Sequence, residues 1–402
     1  MNKAEGIRIM NTNFNRITDR RGTGSEKWNV KENELPMWVA DMDFPTAPCI
    51  RRAAEKRAAH GVFGYSAVPE AWYDAYRNWW GEHHGLEMER GQLLFVSGVI
   101  PAISAAIREF TSPRDNIVIQ TPVYNHFFTS ILSNGRRVLE NPLTYRDGKY
   151  GMDFEDLEKK LQDARTTMLI LCNPQNPVGK IWSREELARV GSLCRRHQVL
   201  VVSDEIHCDL TAPGKGYVPF ASVDETCRMN SITAIAPTKA FNIAGMHSAA
   251  VFVPEEGFRQ RMDKAVRRDE AADPGAFSMD AAVAAFSNEG WEWLVSLRDY
   301  IEENKKAVYA FIQKELPDVY AVPQDATYLM WLDISRYSED SGELQRFLRK
   351  STGLYVNPGT IYGEDGKHFL RLNVACPRAL LDDGLDRLRN GLELWRNRER
   401  DS

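Results

Sequence analysis

Five short apolar runs in the middle of the chain, separated by amphipathic stretches, each end in residues of chemical interest, and this alternation limits the possible folds more than any other feature. Leu93 to Val96 runs into Ser97-Gly98-Val99-Ile100-Pro101, and Asn116 to Ile119 into Thr121-Pro122-Val123-Tyr124. Thr167 to Leu171 leads to Cys172-Asn173-Pro174-Gln175-Asn176-Pro177-Val178-Gly179, and Val199 to Val202 leads to Ser203-Asp204-Glu205-Ile206-His207. The fifth, Ser231 to Ala236, leads to Pro237-Thr238-Lys239. The alternation predicts an α/β fold, a mostly parallel sheet covered by helices. Ser183-Arg184-Glu185-Glu186-Leu187 is a capping box that opens a helix to about His197. Strand, helix, strand of that length is a right-handed crossover, so the carboxyl ends of both strands share one edge of the sheet. Ligands of open α/β sheets bind at that edge.

Lys239 has no packing reason to follow an apolar strand among small residues. Desolvation there lowers the pKa of a lysine and frees its amine to form a Schiff base, which is what pyridoxal phosphate requires. Asp204 closes a nearly uninterrupted apolar strand and reads either as a helix N-cap or as the partner of a protonated pyridine nitrogen. Its pairing with Lys239 favours the second. The segment Gly98-Val99-Ile100 offers backbone N–H groups at a helix start, a natural phosphate cradle, although a lone glycine there is usually only a turn. Tyr124 reads as a packed loop tyrosine or as a ring that stacks on the cofactor. Asn176 lies in a turn or donates to the cofactor's phenolate oxygen, and His207 is a core histidine or a ligand. Arg371 interrupts the apolar strand Phe369 to Val374 with no acid nearby in sequence, so a substrate carboxylate or a structural ion pair is its expected partner.

After about Glu289 the texture changes to an α+β pattern. Helices are expected over Trp291 to Gln313, Leu344 to Arg349 and Leu380 to Trp395, with strands over Tyr328 to Asp333 and Phe369 to Val374. The expected organisation is an N-terminal segment, 1–48, packing with a small C-terminal domain, 289–402, around a large cofactor-binding domain, 49–288. Trp72, Tyr76, Trp79 and Trp80 have helical spacing and read as one core-facing stripe. His83-His84 lacks further ligands at a recognisable spacing, so no metal site is expected.

A chain of 402 residues supports a large core, and its net charge of -5 argues against nucleic acid as a partner. Six cysteines without a C-x-x-C pair indicate neither zinc nor a disulfide framework and favour a reducing cytoplasm. Met1 to Arg21 lacks the apolar core of a signal peptide, and no apolar stretch approaches the ~18 residues that span a bilayer. The expectation is a cytoplasmic protein with no membrane partner.

These residues match a known pattern. The chain resembles fold type I pyridoxal phosphate enzymes, the aspartate aminotransferase superfamily, and within them the cystathionine beta-lyase branch of the MalY/PatB type. The more specific segments are Asp19-Arg20-Arg21-Gly22-Thr23, Leu35-Pro36-Met37-Trp38-Val39-Ala40-Asp41-Met42-Asp43-Phe44, Phe63-Gly64-Tyr65 and Asp204-Glu205-Ile206-His207. The resemblance implies that Lys239 forms the Schiff base, Asp204 pairs with the pyridine nitrogen, Tyr124 stacks on the ring and Asn176 bonds the phenolate oxygen. Gly98, Val99, Ile100 and Thr238 would surround the phosphate, and His207 would lie against the cofactor. Arg371 would hold the substrate α-carboxylate, and Tyr65 would reach the phosphate from the other subunit of a homodimer. Two positions depart from the superfamily: His247 stands where many aminotransferases carry an arginine, and Ala236 where a serine is frequent. The lyase branch also tends to lack that arginine.

The implied reaction is β-elimination of a thiol from cystathionine or another S-substituted L-cysteine, giving pyruvate and ammonia. An aminotransferase shares all these residues and differs in where the α-proton returns. A cofactor-binding regulatory module would need an N-terminal helix-turn-helix, for which the segment before Trp38 has neither room nor pattern.

Overall fold

The computed structural model describes residues 12–400, so the first part of the polar stretch Met1 to Arg21 lies outside the described residues. Seven strands form the large sheet in the order Leu93–Val96, Ala249–Phe252, Ser231–Ile235, Leu200–Asp204, Thr166–Cys172, Asn116–Ile119 and Arg137–Glu140. Ala249–Phe252 runs antiparallel to both its neighbours, and every other pairing is parallel. The five expected strands are all present, with ends within two residues of the expected ones. Two further strands were not expected. Arg137–Glu140 is an edge strand with one exposed and three half-buried residues, which leaves little hydrophobic pattern to read.

Helices on both faces explain why the central strands read as continuous apolar runs. Met168, Ile170 and Cys172 pack with residues of the helices Val99–Phe110 and Glu256–Arg268. Their neighbours Leu169 and Leu171 pack with Leu187 and Val190 of the helix Arg184–Arg196 on the other face. That helix starts as the sequence indicates: Ser183 Oγ accepts from the Glu186 N–H at 3.1 Å, and Glu186 Oε2 accepts from the Ser183 N–H at 2.8 Å. Its neighbours Thr166–Cys172 and Leu200–Asp204 are parallel and adjacent, with Cys172 opposite Asp204, so the crossover delivers both strand ends to one edge.

A four-stranded antiparallel sheet follows, in the order Tyr320–Ala321, Leu329–Asp333, Phe369–Asn373, Asn357–Pro358. The long helix Asn288–Glu315 starts three residues earlier than expected because Ser287 Oγ accepts from the Gly290 N–H at 3.2 Å. Gly290 has no room for a side chain there, since a Cβ would sit 1.9 Å from the Ala285 carbonyl oxygen. Leu35–Pro36 pairs in parallel with Leu354–Tyr355, which ties the N-terminal segment to the C-terminal region. Trp72, Tyr76, Trp79 and Trp80 are all buried in the core, on one helix, Glu70–His84. His84 lies beside Asp209 and Cys208, a proximity that its spacing did not reveal. Asp209 Oδ1 already accepts from Trp79 Nε1 at 2.9 Å and lies 2.8 Å from His84 Nε2.

Candidate active site

The carboxyl edge of the large sheet opens into a cavity of about 200 Å³. Gly98, Val99, Ile100 and Thr238 line it together with Asp204, His207, Tyr124, Asn176 and Lys239. Gly98 caps the helix Val99–Phe110, whose first N–H groups have no intrahelical acceptor and point toward this space. Ten of the eleven residues singled out from the sequence therefore converge here or immediately beside it. The exception is Tyr65, fully exposed in the irregular segment after Gly61 and outside the cavity of its own chain.

Lys239 follows the strand Ser231–Ile235, and its Nζ donates to the Ala40 carbonyl oxygen at 2.8 Å. It borders the cavity, yet burial, followed by the positive charge of Arg371, pushes its pKa down to about 8. Asp41, Asp204 and Glu26 oppose that shift. Asp204 closes its strand, and its Oδ1 accepts only the Ile206 N–H, at 3.1 Å. No Lys, Arg or His nitrogen forms an ion pair with it among the described residues. Burial therefore pushes its pKa up to about 7, with the neighbouring Glu205 charge adding to the effect and Lys239 reducing it. The Glu205 carboxylate is buried too, but it is satisfied by Ser203 Oγ at 2.8 Å, Tyr217 OH at 2.9 Å and the Phe220 N–H at 2.9 Å. That contrast separates a structural carboxylate from one that holds a single backbone N–H.

His207 is buried, its Nδ1 has no partner, and burial followed by the charges of Lys239 and Arg371 pushes its pKa down to about 3. Its ring is neutral at physiological pH. Tyr124 is held protonated by burial, its pKa pushed up to about 12. Arg371 is buried beside the cavity, where NH1 donates to Asn176 Oδ1 at 3.2 Å and NH2 to the Trp38 carbonyl oxygen at 2.8 Å. Its Nε has no partner, and among the described residues no carboxylate pairs with it. The structural ion pair that is one alternative for Arg371 is thus not formed among the described residues.

Sequence reasoning missed Ala40, whose contribution is a backbone carbonyl and therefore carries no residue signature. His247 was noted only as a departure, and it also lines the cavity, with a left-handed backbone at φ 49°.

The donor set fits a pyridoxal phosphate. An unpaired buried carboxylate suits the cationic ring nitrogen, a helix N-terminus suits the phosphate, and a lysine with a depressed pKa lines the same cavity. Fold and site together define the class. A family model for aminotransferase class I and II matches residues 32–388, and the chain belongs to that family. It is 43% identical over 386 residues to cystathionine beta-lyase PatB of Bacillus subtilis (strain 168), covering 94% of this chain and 100% of that protein. It is 32% identical over 392 residues to protein MalY of Escherichia coli (strain K12), covering 95% and 99%. Among solved structures, cystalysin from Treponema denticola, which contains a pyridoxal 5'-phosphate cofactor, superposes with a TM-score of 0.91 at 31% identity, covering 95% of this chain and 98% of that one.

Proposed function

We propose that this chain is a pyridoxal phosphate-dependent carbon–sulfur β-lyase that converts cystathionine or other S-substituted L-cysteines to pyruvate, ammonia and a thiol. The observation that carries the reading is one cavity flanked by a lysine with a depressed pKa and an unpaired buried carboxylate. The lyase name of the Bacillus subtilis relative gives it its direction. When bound, the cofactor supplies an aldehyde that condenses with amines and a cationic ring that takes up the electrons released at Cα.

The protein's own part follows from the geometry. Lys239 Nζ gives up the Ala40 carbonyl to hold the cofactor, and once displaced by substrate it accepts the Cα proton. Asp204, fixed by the Ile206 N–H, keeps the ring nitrogen protonated. Tyr124 and His207 line the same cavity and would border the ring without carrying charge. Asn176 Nδ2 is free to face the phenolate oxygen because its Oδ1 is engaged by Arg371. The guanidinium of Arg371 receives the substrate α-carboxylate, fixing the Cα–H bond for transfer to Lys239. With Lys239 holding the Cα proton, the freed pair would form the Cα=Cβ bond as the Cβ–S pair leaves on sulfur, the thiolate would take up a proton, and hydrolysis of the released enamine would give pyruvate and ammonia.

The same fold family supports the alternative of an aminotransferase. Separate measurement of pyruvate and of the keto acid of the intact substrate decides between them. We further infer a homodimer, because Val62, Phe63 and Tyr65 expose 63%, 54% and 107% of their surface on one irregular segment. A second copy covering that segment would bring Tyr65 to the partner's cavity. All six cysteines are unpaired, and no helix among the described residues is long and apolar enough to cross a membrane. A reducing cytoplasm suits such a chain.

A further inference from the structure

Two of the sequence segments singled out above meet outside the cavity. Arg20, from Asp19-Arg20-Arg21-Gly22-Thr23, forks onto the Asp41 carboxylate at 3.1 and 2.7 Å and also donates to Asp43 Oδ1 and the Met42 carbonyl oxygen, both at 2.9 Å. Lys27 and Trp28 add to the grip on Asp43, with Lys27 Nζ 2.7 Å from Oδ2 and Trp28 Nε1 2.7 Å from Oδ1. Arg20 and Asp41 are about one-fifth exposed, whereas Lys27 and Asp43 are buried.

The inner side of the same segment faces the chemistry. The Trp38 carbonyl accepts from Arg371 at 2.8 Å, and the Ala40 carbonyl accepts from Lys239 at 2.8 Å and from the Tyr328 hydroxyl at 3.0 Å. Asn373 Nδ2 ties the Val39 and Asp41 carbonyls at 2.6 Å each, and Asn242 Nδ2 ties Met42 at 2.9 Å. The two cationic side chains of the site thus hang from carbonyls two residues apart, on a strip whose outer edge Arg20 holds.

We propose that Arg20 is a positioning residue that fixes residues 38–43, and with them Lys239 and Arg371, and that it offsets part of the Asp41 charge that Lys239 feels. The charged groups that face Lys239 are Arg371 from the small sheet, Asp204 from the large sheet, and Asp41 and Glu26 from the N-terminal segment. His207 faces it as well and is neutral. Of these, only Asp41 pairs with Arg20, at 2.7 Å, while Lys27 Nζ lies farther from the same carboxylate, at 3.7 Å. Without Arg20, the Asp41 carboxylate keeps only the longer Lys27 contact and favours the ammonium form of Lys239 more strongly, and an ammonium cannot capture an aldehyde. The proposal rests on Lys239 being the capturing amine, as argued above.

The test is the rate at which cofactor-free protein captures pyridoxal phosphate, followed by absorbance from pH 6.5 to 10. Capture in Arg20→Ala should be about three- to tenfold slower at pH 7.5, the effect of a half-unit to one-unit rise in the lysine pKa, and should converge with wild type near pH 10. Asp41→Asn should shift the pH midpoint the other way, the double variant should return toward wild type, and Arg20→Lys should recover part of the rate. Midpoints unchanged in Arg20→Ala and Asp41→Asn, or moved in the same direction, overturn the proposal. If Arg20→Ala does not fold, Asp41→Asn decides alone, and an unmoved midpoint overturns it. Lys239→Ala is the control for the underlying reading: persistent capture there refutes Lys239 as the amine, a result distinct from the failure of the Arg20 proposal.

Discussion

Asp204→Asn should stabilise the cofactor-free protein as pH rises, while disabling the loaded one. The wild-type carboxyl has its pKa raised from 3.8 to about 7 by burial. A group whose folded pKa is raised contributes its full stability below the unfolded value and loses it as pH climbs through the folded one. Between about pH 4 and pH 7 the folded wild type therefore loses about 1.4 kcal/mol per pH unit from this group, about 4 kcal/mol in all. Asparagine is neutral throughout, and its side-chain oxygen can still accept the Ile206 N–H that Asp204 Oδ1 accepts now. Titrations shared by both proteins cancel in their difference. Urea unfolding of the two cofactor-free proteins should show the variant's relative stability growing by about 2–3 kcal/mol between pH 5 and pH 8. With cofactor bound the order should reverse, because the carboxylate then has a cation to pair with. A difference that stays flat with pH, or a wild type that gains on the variant at pH 8, would refute the reading of Asp204 as an unpaired buried acid.

Other outcomes follow from the same geometry. Lys239→Ala should remove the visible absorbance of the linked cofactor and lower turnover by at least about 10²-fold, the contribution expected of a positioned general base; a borohydride-stable label on the variant would contradict this. Arg371→Lys should lower kcat/KM by about 10- to 150-fold with cofactor affinity little changed, since an ammonium cannot reproduce the fork and a charge-assisted hydrogen bond is worth about 1.5–3 kcal/mol. Unchanged efficiency would make Arg371 structural. Inactive Lys239→Ala and Tyr65→Ala proteins, unfolded and reassembled together, should recover about a quarter of wild-type activity, because about half the dimers are mixed and each mixed dimer of a two-fold assembly holds one intact site. Confirmed mixed dimers without recovery would place Tyr65 outside the partner's site.

Lys239 and Asp204 were legible because each puts a charge at the end of an apolar strand, where packing gives no reason for it, and parallel topology gathers such ends. Arg371 was legible because it puts a charge inside an apolar strand, and the absence of an acid near it in sequence persists as the absence of a carboxylate partner among the described residues. Ala40 and Trp38 escaped because they act through backbone carbonyls, which every residue carries. Their motif was visible, but its purpose depends on Arg20, some twenty residues away. The strand Ala249–Phe252 is apolar enough to notice, yet its antiparallel insertion beside Leu93–Val96 is a matter of topology that local pattern does not encode. The His84 and Asp209 contact shows the same limit, since the two are 125 residues apart. Tyr65 lies beyond what one chain can display, because its proposed site belongs to a second copy.

The most direct measurement is the product balance when the purified, cofactor-loaded protein is given L-cystathionine. Pyruvate, ammonia and homocysteine should accumulate in equal amounts, with the keto acid of intact cystathionine a minor product. Keto acid and aminated cofactor in excess of pyruvate, on cystathionine and on a panel of S-substituted cysteines, would contradict the lyase and make the protein an aminotransferase.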